Sequence, residues 1–343
     1  MYIDYGECMS NLFILGNGFD IAHGLPTGYK YFKVFLYNKA FLTNYKEFDE
    51  LPKVKSMPQM PSPQIYYNGS KVYNKLWECR LLYWMIEQIT HKDIEWRKFE
   101  KLLVKLNYDK LKRITKDKEY FGITMLGMLE TLDEVFFEWI GTIKVTEENR
   151  PKLFLKNTIN DDDLAISFNY TNTLEKIYGF NEKNICHIHG KYKIDAGVEG
   201  KRKTHIWGEN NQKLVMGYSE NNFWLKAKRK KHQYFDRSLL ILDGYFLKDC
   251  EQIIEYHKNF YNKVESSNVN KIYSFGFSYG KVDAPQIKAL CDSLNKIEGG
   301  SSNMVWYLNK FDDKFLKNYR FKRFIKKCGL KGSFEKYDAK ETI

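Results

Sequence analysis

A short run, Asn11-Leu12-Phe13-Ile14-Leu15, stops abruptly at Gly16-Asn17-Gly18. Consecutive apolar residues followed by two closely spaced glycines read as a buried strand, a tight turn and the start of a helix. The same grammar returns later. Asp163 to Phe168, Asn184 to Ile188, Leu214 to Gly217, Lys271 to Gly276 and Met304 to Leu308 are strand-like runs. Helical spacing occupies Thr173 to Tyr178, Lys248 to Val264, Val282 to Ile297 and Asp312 to Lys327. Strands alternating with helices predict an α/β fold with a largely parallel sheet.

One stretch breaks the alternation. From Tyr29 to about Asn44, Val72 to Thr90, Asp93 to Asn107 and Lys118 to Ile143 the pattern is helical. That is too long for one crossover, so it reads as an α-helical insertion. The expected divisions are 1–29 for the first strand–turn–helix, 30–150 for the insertion, and 151–343 for the rest of the sheet. A smaller insertion is expected near 191–265. Pro52, Pro58, Pro61 and Pro63 mark a loop between Leu51 and Ser70. In the last helix of the insertion, Phe121, Met125, Met128, Leu129, Leu132, Phe136 and Trp139 fall near i, i+3, i+4 spacing, which is a core stripe.

Composition narrows the classes. The chain of 343 residues carries 55 Lys and Arg against 43 Asp and Glu, a net charge of +12. The surplus fits either a polyanion footprint or a general habit of basic, aromatic-rich chains. Its densest run is Lys226, Lys228, Arg229, Lys230, Lys231 and His232. The six cysteines at 8, 79, 186, 250, 291 and 328 include no Cys-x-x-Cys pair, which argues against a zinc ribbon and a disulfide framework. Reduced thiols in a cytoplasmic protein are the expectation. No run of about 18 apolar residues exists, so no membrane span is expected. Met1 to Ser10 lacks the basic and apolar regions of a signal peptide.

Three strand ends carry the chemistry, because open α/β sheets bind ligands at the carboxyl ends of their strands. At the first, Gly16, Asn17 and Gly18 let the backbone approach a phosphate, and the helix behind them offers free N–H groups. A simple tight turn would look the same. Ile21 stands where the ordinary dinucleotide fingerprint has its third glycine. The region about 20 residues on is helical rather than a strand ending in an acid, so a hydride-transferring dehydrogenase is disfavoured. At the second, Asn169 after Ser167-Phe168 can hold a ribose hydroxyl, a carboxamide or a water, or can simply cap a helix. At the third, His187 and His189 share one side of an extended strand, and one could serve as a general base. No third ligand type clusters there, so no metal is expected.

Taken in order, the clusters resemble the sirtuins. Gly16-x-Gly18 with Gly24-Leu25-Pro26, then Phe168-Asn169-Tyr170-Thr171, then His187-Ile188-His189-Gly190 follow the sirtuin sequence of motifs. The string Gly16-Asn17-Gly18-Phe19-Asp20 with Ala22 to Thr27, the two later motifs, and Phe275 to Asp283 are more similar still to the bacteriophage abortive infection AbiH family. These motifs make up about 35 residues directly. The resemblance implies a sirtuin-like Rossmann-type fold used in antiphage defence, with NAD+ as substrate, since relatives of that fold destroy NAD in infected cells. Departures are clear. There is no four-cysteine zinc module, which removes the basis for protein deacylation. Thr171 replaces the sirtuin Asp, and Thr27-Gly28-Tyr29 replaces its Phe-Arg.

On that resemblance, Gly16, Asn17 and Gly18 would cradle the pyrophosphate. Asn169 would position the nicotinamide ribose or the attacking water, and His189 would be the general base. Asp20 would either stabilise developing positive charge or cap the helix. Gly276, Ser278 and Asp283 would close the adenosine side. The alternatives are a nucleic-acid-binding sensor or nuclease-like defence protein with the same fold but without NAD chemistry, or an ADP-ribosyl transferase using the same residues. A phage-derived trigger and a homo-oligomer are further expectations. Burial within one chain would explain the aromatic helices equally well.

Overall fold

The computed structural model of the chain describes residues 10–56, 58–59, 71–89, 94, 96, 118–149, 151–191, 249–310 and 315–339. The strand expected at Leu214 to Gly217 and the basic run Lys226 to His232 lie outside them. So do Pro61, Pro63 and, except for Ile94 and Trp96, the helix expected over 93–107. The described residues fall into two compact units, one of 10–26, 143–191 and 249–339, the other within Thr27–Thr142.

The first unit holds a parallel six-stranded sheet. Its strands are β1 (Ser10–Leu15), β2 (Leu164–Ser167), β3 (Ile185–His187), β4 (Val269–Phe275), β5 (Val305–Asn309) and β6 (Ser333–Tyr337). They lie in the order β3-β2-β1-β4-β5-β6, and every pairing is parallel. This is an α/β, Rossmann-like fold. β1 and β2 are buried along their whole length, as central parallel strands covered on both faces must be. That is why they read as apolar runs rather than alternating ones.

Helices α1 (Asn17–Ala22), α5 (Leu153–Thr158), α6 (Thr173–Tyr178), α7 (Cys250–Tyr256), α8 (Lys258–Glu265), α9 (Ala284–Leu294) and α10 (Phe315–Lys327) belong to this unit. The helix expected over Lys248 to Val264 is two helices, broken at His257. β6 was not anticipated: Ser-Phe-Glu-Lys-Tyr is a half-exposed edge strand with little apolar signal. Side chains alternate between two cores. Leu12, Ile14, Ile166, Ile272 and Trp306 join one, with Val264 and Leu290 from α8 and α9. Phe13, Leu15, Ala165, Tyr273 and Phe275 join the other, with Phe19 and Leu174. In this second core, Phe13, Tyr273 and Tyr307 are directly opposite one another on β1, β4 and β5. Their rings stack at 5.5 and 4.8 Å, so part of the aromatic surplus is a ladder across the sheet.

The second unit is helical. It contains α2 (Tyr29–Phe41), α3 (Lys71–Ile89) and α4 (Lys118–Thr142). The stripe on α4 is core as its spacing required: Met128, Leu132, Phe136 and Trp139 are buried. Phe32 meets Phe136 at 5.5 Å and Trp139 at 5.4 Å. The side chains of Phe121, Met125 and Leu129 lie outside those described. Among the described residues, no helix is long and apolar enough to cross a membrane. Cys79, Cys186, Cys250 and Cys291 are buried and form no disulfide among the described residues.

Candidate functional site

The strand order reverses between β1 and β4. In open α/β sheets the loops leaving the carboxyl ends of two such strands flank a binding crevice. Here those loops touch. Gly16 donates its amide to the Phe275 carbonyl and Gly18 to the Gly276 carbonyl, both at 3.0 Å. Phe19 donates to the Gly16 carbonyl at 2.8 Å. A Cβ on Gly18 would lie 2.7 Å from the Cα of Gly276, and one on Gly276 would enter the backbone of Gly18 and Phe19. Gly276 also has φ +66°, a conformation natural to glycine. The glycines therefore serve backbone-to-backbone contact. Of the residues expected to cradle a pyrophosphate, Gly16 and Gly18 already donate their amides to protein carbonyls. Asn17 and Ser278 are half-buried beside these contacts.

Helix α1 carries Asp20 into the interior. Gly16 stands at the N-cap of α1, so Asp20 does not cap it. The Asp20 side chain is 1% exposed. Its Oδ1 accepts from Asn169 Nδ2 at 3.2 Å and its Oδ2 from Thr171 Oγ1 at 2.7 Å. Thr171 and Thr173 share a hydroxyl contact of 2.9 Å. Burial pushes the Asp20 carboxyl up to about 7, against the hydrogen bonds from Thr171, Thr173 and Asn169, which favour its charged form. Thr171 is thus a hydrogen-bond donor to Asp20.

Asn169 follows β2 and is buried. Its Nδ2 is held by Asp20, and its Oδ1 is buried without a hydrogen-bond partner among the described residues. The buried His189 lies next to the same peptide: its Nδ1 is 3.1 Å from the Phe168 carbonyl oxygen. Its Nε2 is 3.4 Å from Asp283 Oδ1. The carbonyl can only accept, so Nδ1 carries a proton and donates it. The turn after β4 delivers Asp283 to this place. It has positive φ at both Gly276 and Tyr279, and the Tyr279 ring is stacked on Phe321 at 3.8 Å. Asp283, expected toward an adenosine, lies beside the candidate base.

His187 goes elsewhere. β3 ends at His187, and the chain turns at Ile188 and His189. The strand alternation that would align the two histidines therefore stops between them. His187 Nε2 lies 3.2 Å from Glu175 Oε1, which also accepts from Lys191 Nζ at 2.8 Å. Burial alone would raise the Glu175 carboxyl, but His187 and Lys191 hold it at about 2. Sequence reading missed this ion cluster, and it also missed His23. That imidazole contacts the Phe19 carbonyl at 2.7 Å and the Tyr178 hydroxyl at 2.6 Å. Neither had a local signal, since both depend on partners from other elements. Among the described residues, no group of three or more His, Cys, Asp or Glu side chains is set to hold a metal ion.

The model of the family described as bacteriophage abortive infection AbiH matches residues 12–299. The chain belongs to the AbiH family. Membership supports a role in abortive infection by bacteriophage. The match spans all of the strand-end clusters, from Gly16 to Asp283, that AbiH membership had been read from. No curated protein and no solved structure matches this AbiH chain.

Proposed function

We propose that this AbiH protein is a defence effector that cleaves NAD+ at the bond between nicotinamide and ribose. The observation that carries the reading is the pairing of a bare, buried carboxamide oxygen on Asn169 with His189 on the adjoining peptide. The strand order is a second support, since sheets of this order bind dinucleotides at the ends of their strands.

Water is the acceptor in this reading. His189 Nε2 takes a proton from the attacking water, and the resulting imidazolium is stabilised by Asp283. The C1′–N bond breaks, nicotinamide leaves with the electron pair, and the water oxygen bonds to C1′. The products are nicotinamide, ADP-ribose and a proton. The transition state carries positive charge on the ribose, so carboxylates nearby favour it. Asp20 and Asp283 are those carboxylates. Asn169 Oδ1 orients the ribose or the water. Gly16, Asn17, Gly18, Gly276 and Ser278 would form the backbone wall beside the nucleotide, with no phosphate contact assigned to the engaged amides.

The test measures NAD+ in cells carrying wild type, Asn169→Ala or His189→Ala, with and without phage, with mass spectrometry of the products. Collapse of NAD+ and appearance of nicotinamide in wild type alone is the expected result. Steady NAD+ with protection still dependent on both residues would sink the reading.

A second reading, contact with nucleic acid, has its own observation. Arg320, Arg323, Lys326 and Lys327 are exposed on α10 beside the exposed Tyr319, and the helix carries no acid. Such a face suits a phosphate backbone. Salt-sensitive retention of RNA or DNA, lost in an Arg320→Glu/Arg323→Glu variant, is the outcome this reading expects.

A further inference from the structure

Asp20 and Asn169 are 149 positions apart in the chain and meet only through the sheet, across β1 and β2. Their contact has a direction. An ionised carboxylate can only accept hydrogen bonds, so the end of the carboxamide facing Asp20 must be the NH2. Thr171 occupies the other carboxylate oxygen, and Thr173 backs Thr171. The amide cannot rotate its oxygen inward without setting two acceptors against each other. Its oxygen is therefore the end left over, and this buried Oδ1 has no partner among the described residues.

We propose that Asp20 is the positioning residue of the site: it pins the Asn169 NH2, so that the carboxamide oxygen is presented to the ligand as an acceptor and takes a ribose hydroxyl. The inference rests on the NAD+ reading for the ligand's identity, but not for the Asp20–Asn169 relationship itself. An acceptor at this point repels a phosphate or carboxylate oxygen and admits an O–H donor. A lone water is the poorer occupant. Trapped water needs about 2–4 polar partners, and Asn169 Nδ2, Thr171 and Asp20 are already engaged with one another. A hydroxyl carried on a nucleotide is anchored by the rest of its ligand.

The charge of Asp20 is the control. Burial places its titration near about 7, where modest changes in pH alter its charge. The titratable group that acts on it from a neighbouring helix is Glu175 on α6. Glu175 is itself held at about 2 by His187 and Lys191, so it stays ionised throughout and does not blur the transition. Protonation of Asp20 removes the requirement that Asn169 turn its NH2 inward.

The experiment is a pH titration of the full-length protein labelled with 15N-asparagine, reading the Asn169 side-chain NH2 signals. They are assigned by their disappearance in Asn169→Ser, or by their displacement in Asp20→Asn if the first variant does not fold. The expected result is a sigmoidal shift centred near about 7 in wild type, absent in Asp20→Asn. Identical Asn169 NH2 signals in wild type and Asp20→Asn across the titration overturn the proposal whether or not NAD+ is cleaved. The second arm measures binding of NAD+ and of its analogue lacking the nicotinamide-ribose 2′-hydroxyl. Loss of that hydroxyl is expected to weaken binding about tenfold or more, because the buried acceptor is left unpaired. Equal binding of both ligands overturns the hydroxyl assignment. A shifting amide with no binding of either ligand sustains the Asp20–Asn169 relationship and overturns the NAD+ reading instead.

Discussion

His189 faces an acceptor with each ring nitrogen: the Phe168 carbonyl at 3.1 Å and Asp283 Oδ1 at 3.4 Å. The first contact sets the tautomer, and in the proposed reaction the second stabilises the imidazolium formed when Nε2 takes its proton. Asp283→Asn keeps the shape and removes the charge. It is expected to slow NAD+ cleavage by about 10²-fold or more, toward the range general-base catalysis supplies. Initial rates of nicotinamide release for Asp283→Asn and His189→Ala, alone and together, check it. Because the two residues act as one unit, the double variant is expected to be little slower than His189→Ala.

His23 and Tyr178 are a structural counterpart of that pair. The Lys152 amide donates to the Tyr178 hydroxyl at 2.8 Å, so Tyr178 donates its own proton to His23 Nε2. His23 Nδ1–H then donates to the Phe19 carbonyl. The arrangement suits a neutral ring, and burial pushes His23 down to about 4 from its ordinary 6.5. The sign follows. Between those values the unfolded chain binds a proton that the folded chain refuses, so stability is lost as pH falls through the window. Urea unfolding of wild type and His23→Gln at pH 7 and pH 5 is expected to show the larger acid loss in wild type. Tyr178→Phe removes the hydroxyl that His23 Nε2 and the Lys152 amide both contact and is expected to cost about 1–3 kcal/mol.

The strand–turn–helix at Leu12 to Ala22 was legible because its causes are local: an apolar run, two glycines, a helix start. The α4 stripe was legible through its period. The sheet order was not, since β1 pairs with β2 across some 150 residues and no local pattern records a neighbour that distant. The site was legible as a set of residues and not as a set of roles. Asn169 and His189 stand at strand ends, as the motifs required. That Asp20 faces Asn169, that Asp283 faces His189, and that His187 turns to Glu175 all depend on which loops meet. The purpose of the glycines was equally hidden, because a phosphate and a second backbone ask the same thing of a glycine.

That last point can be tested with a matched pair. Gly276 and Gly300 have nearly the same φ, +66° and +67°, yet a Cβ on Gly300 would meet nothing within 4 Å. Gly300→Ala is expected to cost only the strain of a left-handed residue, roughly 1–2 kcal/mol. Gly276→Ala must also part the loops after β1 and β4, so it is expected to cost several-fold more or to prevent folding. Midpoints of chemical denaturation compare them. Equal costs would mean that the contact yields easily.

The helical unit contains a charge pair with no evident chemistry. Lys33 on α2 is 1% exposed and Glu87 on α3 is 3% exposed, and they form a direct ion pair. Burial pulls the Lys33 ammonium down, and Glu87 pulls it back up. The Phe48 and Tyr83 rings lie 5.2 and 5.6 Å from the ammonium, so its surroundings are aromatic rather than aqueous. Desolvating two charges offsets most of what their attraction returns. Lys33→Met alone leaves a buried carboxylate and is expected to cost about 3–5 kcal/mol. Adding Glu87→Leu removes that charge and is expected to restore most of the loss. A double-mutant cycle by urea denaturation measures the coupling directly. If Lys33→Met/Glu87→Leu is no more stable than Lys33→Met, the pair contributes more than its desolvation costs. The buried charges would then be a net source of stability in the helical unit.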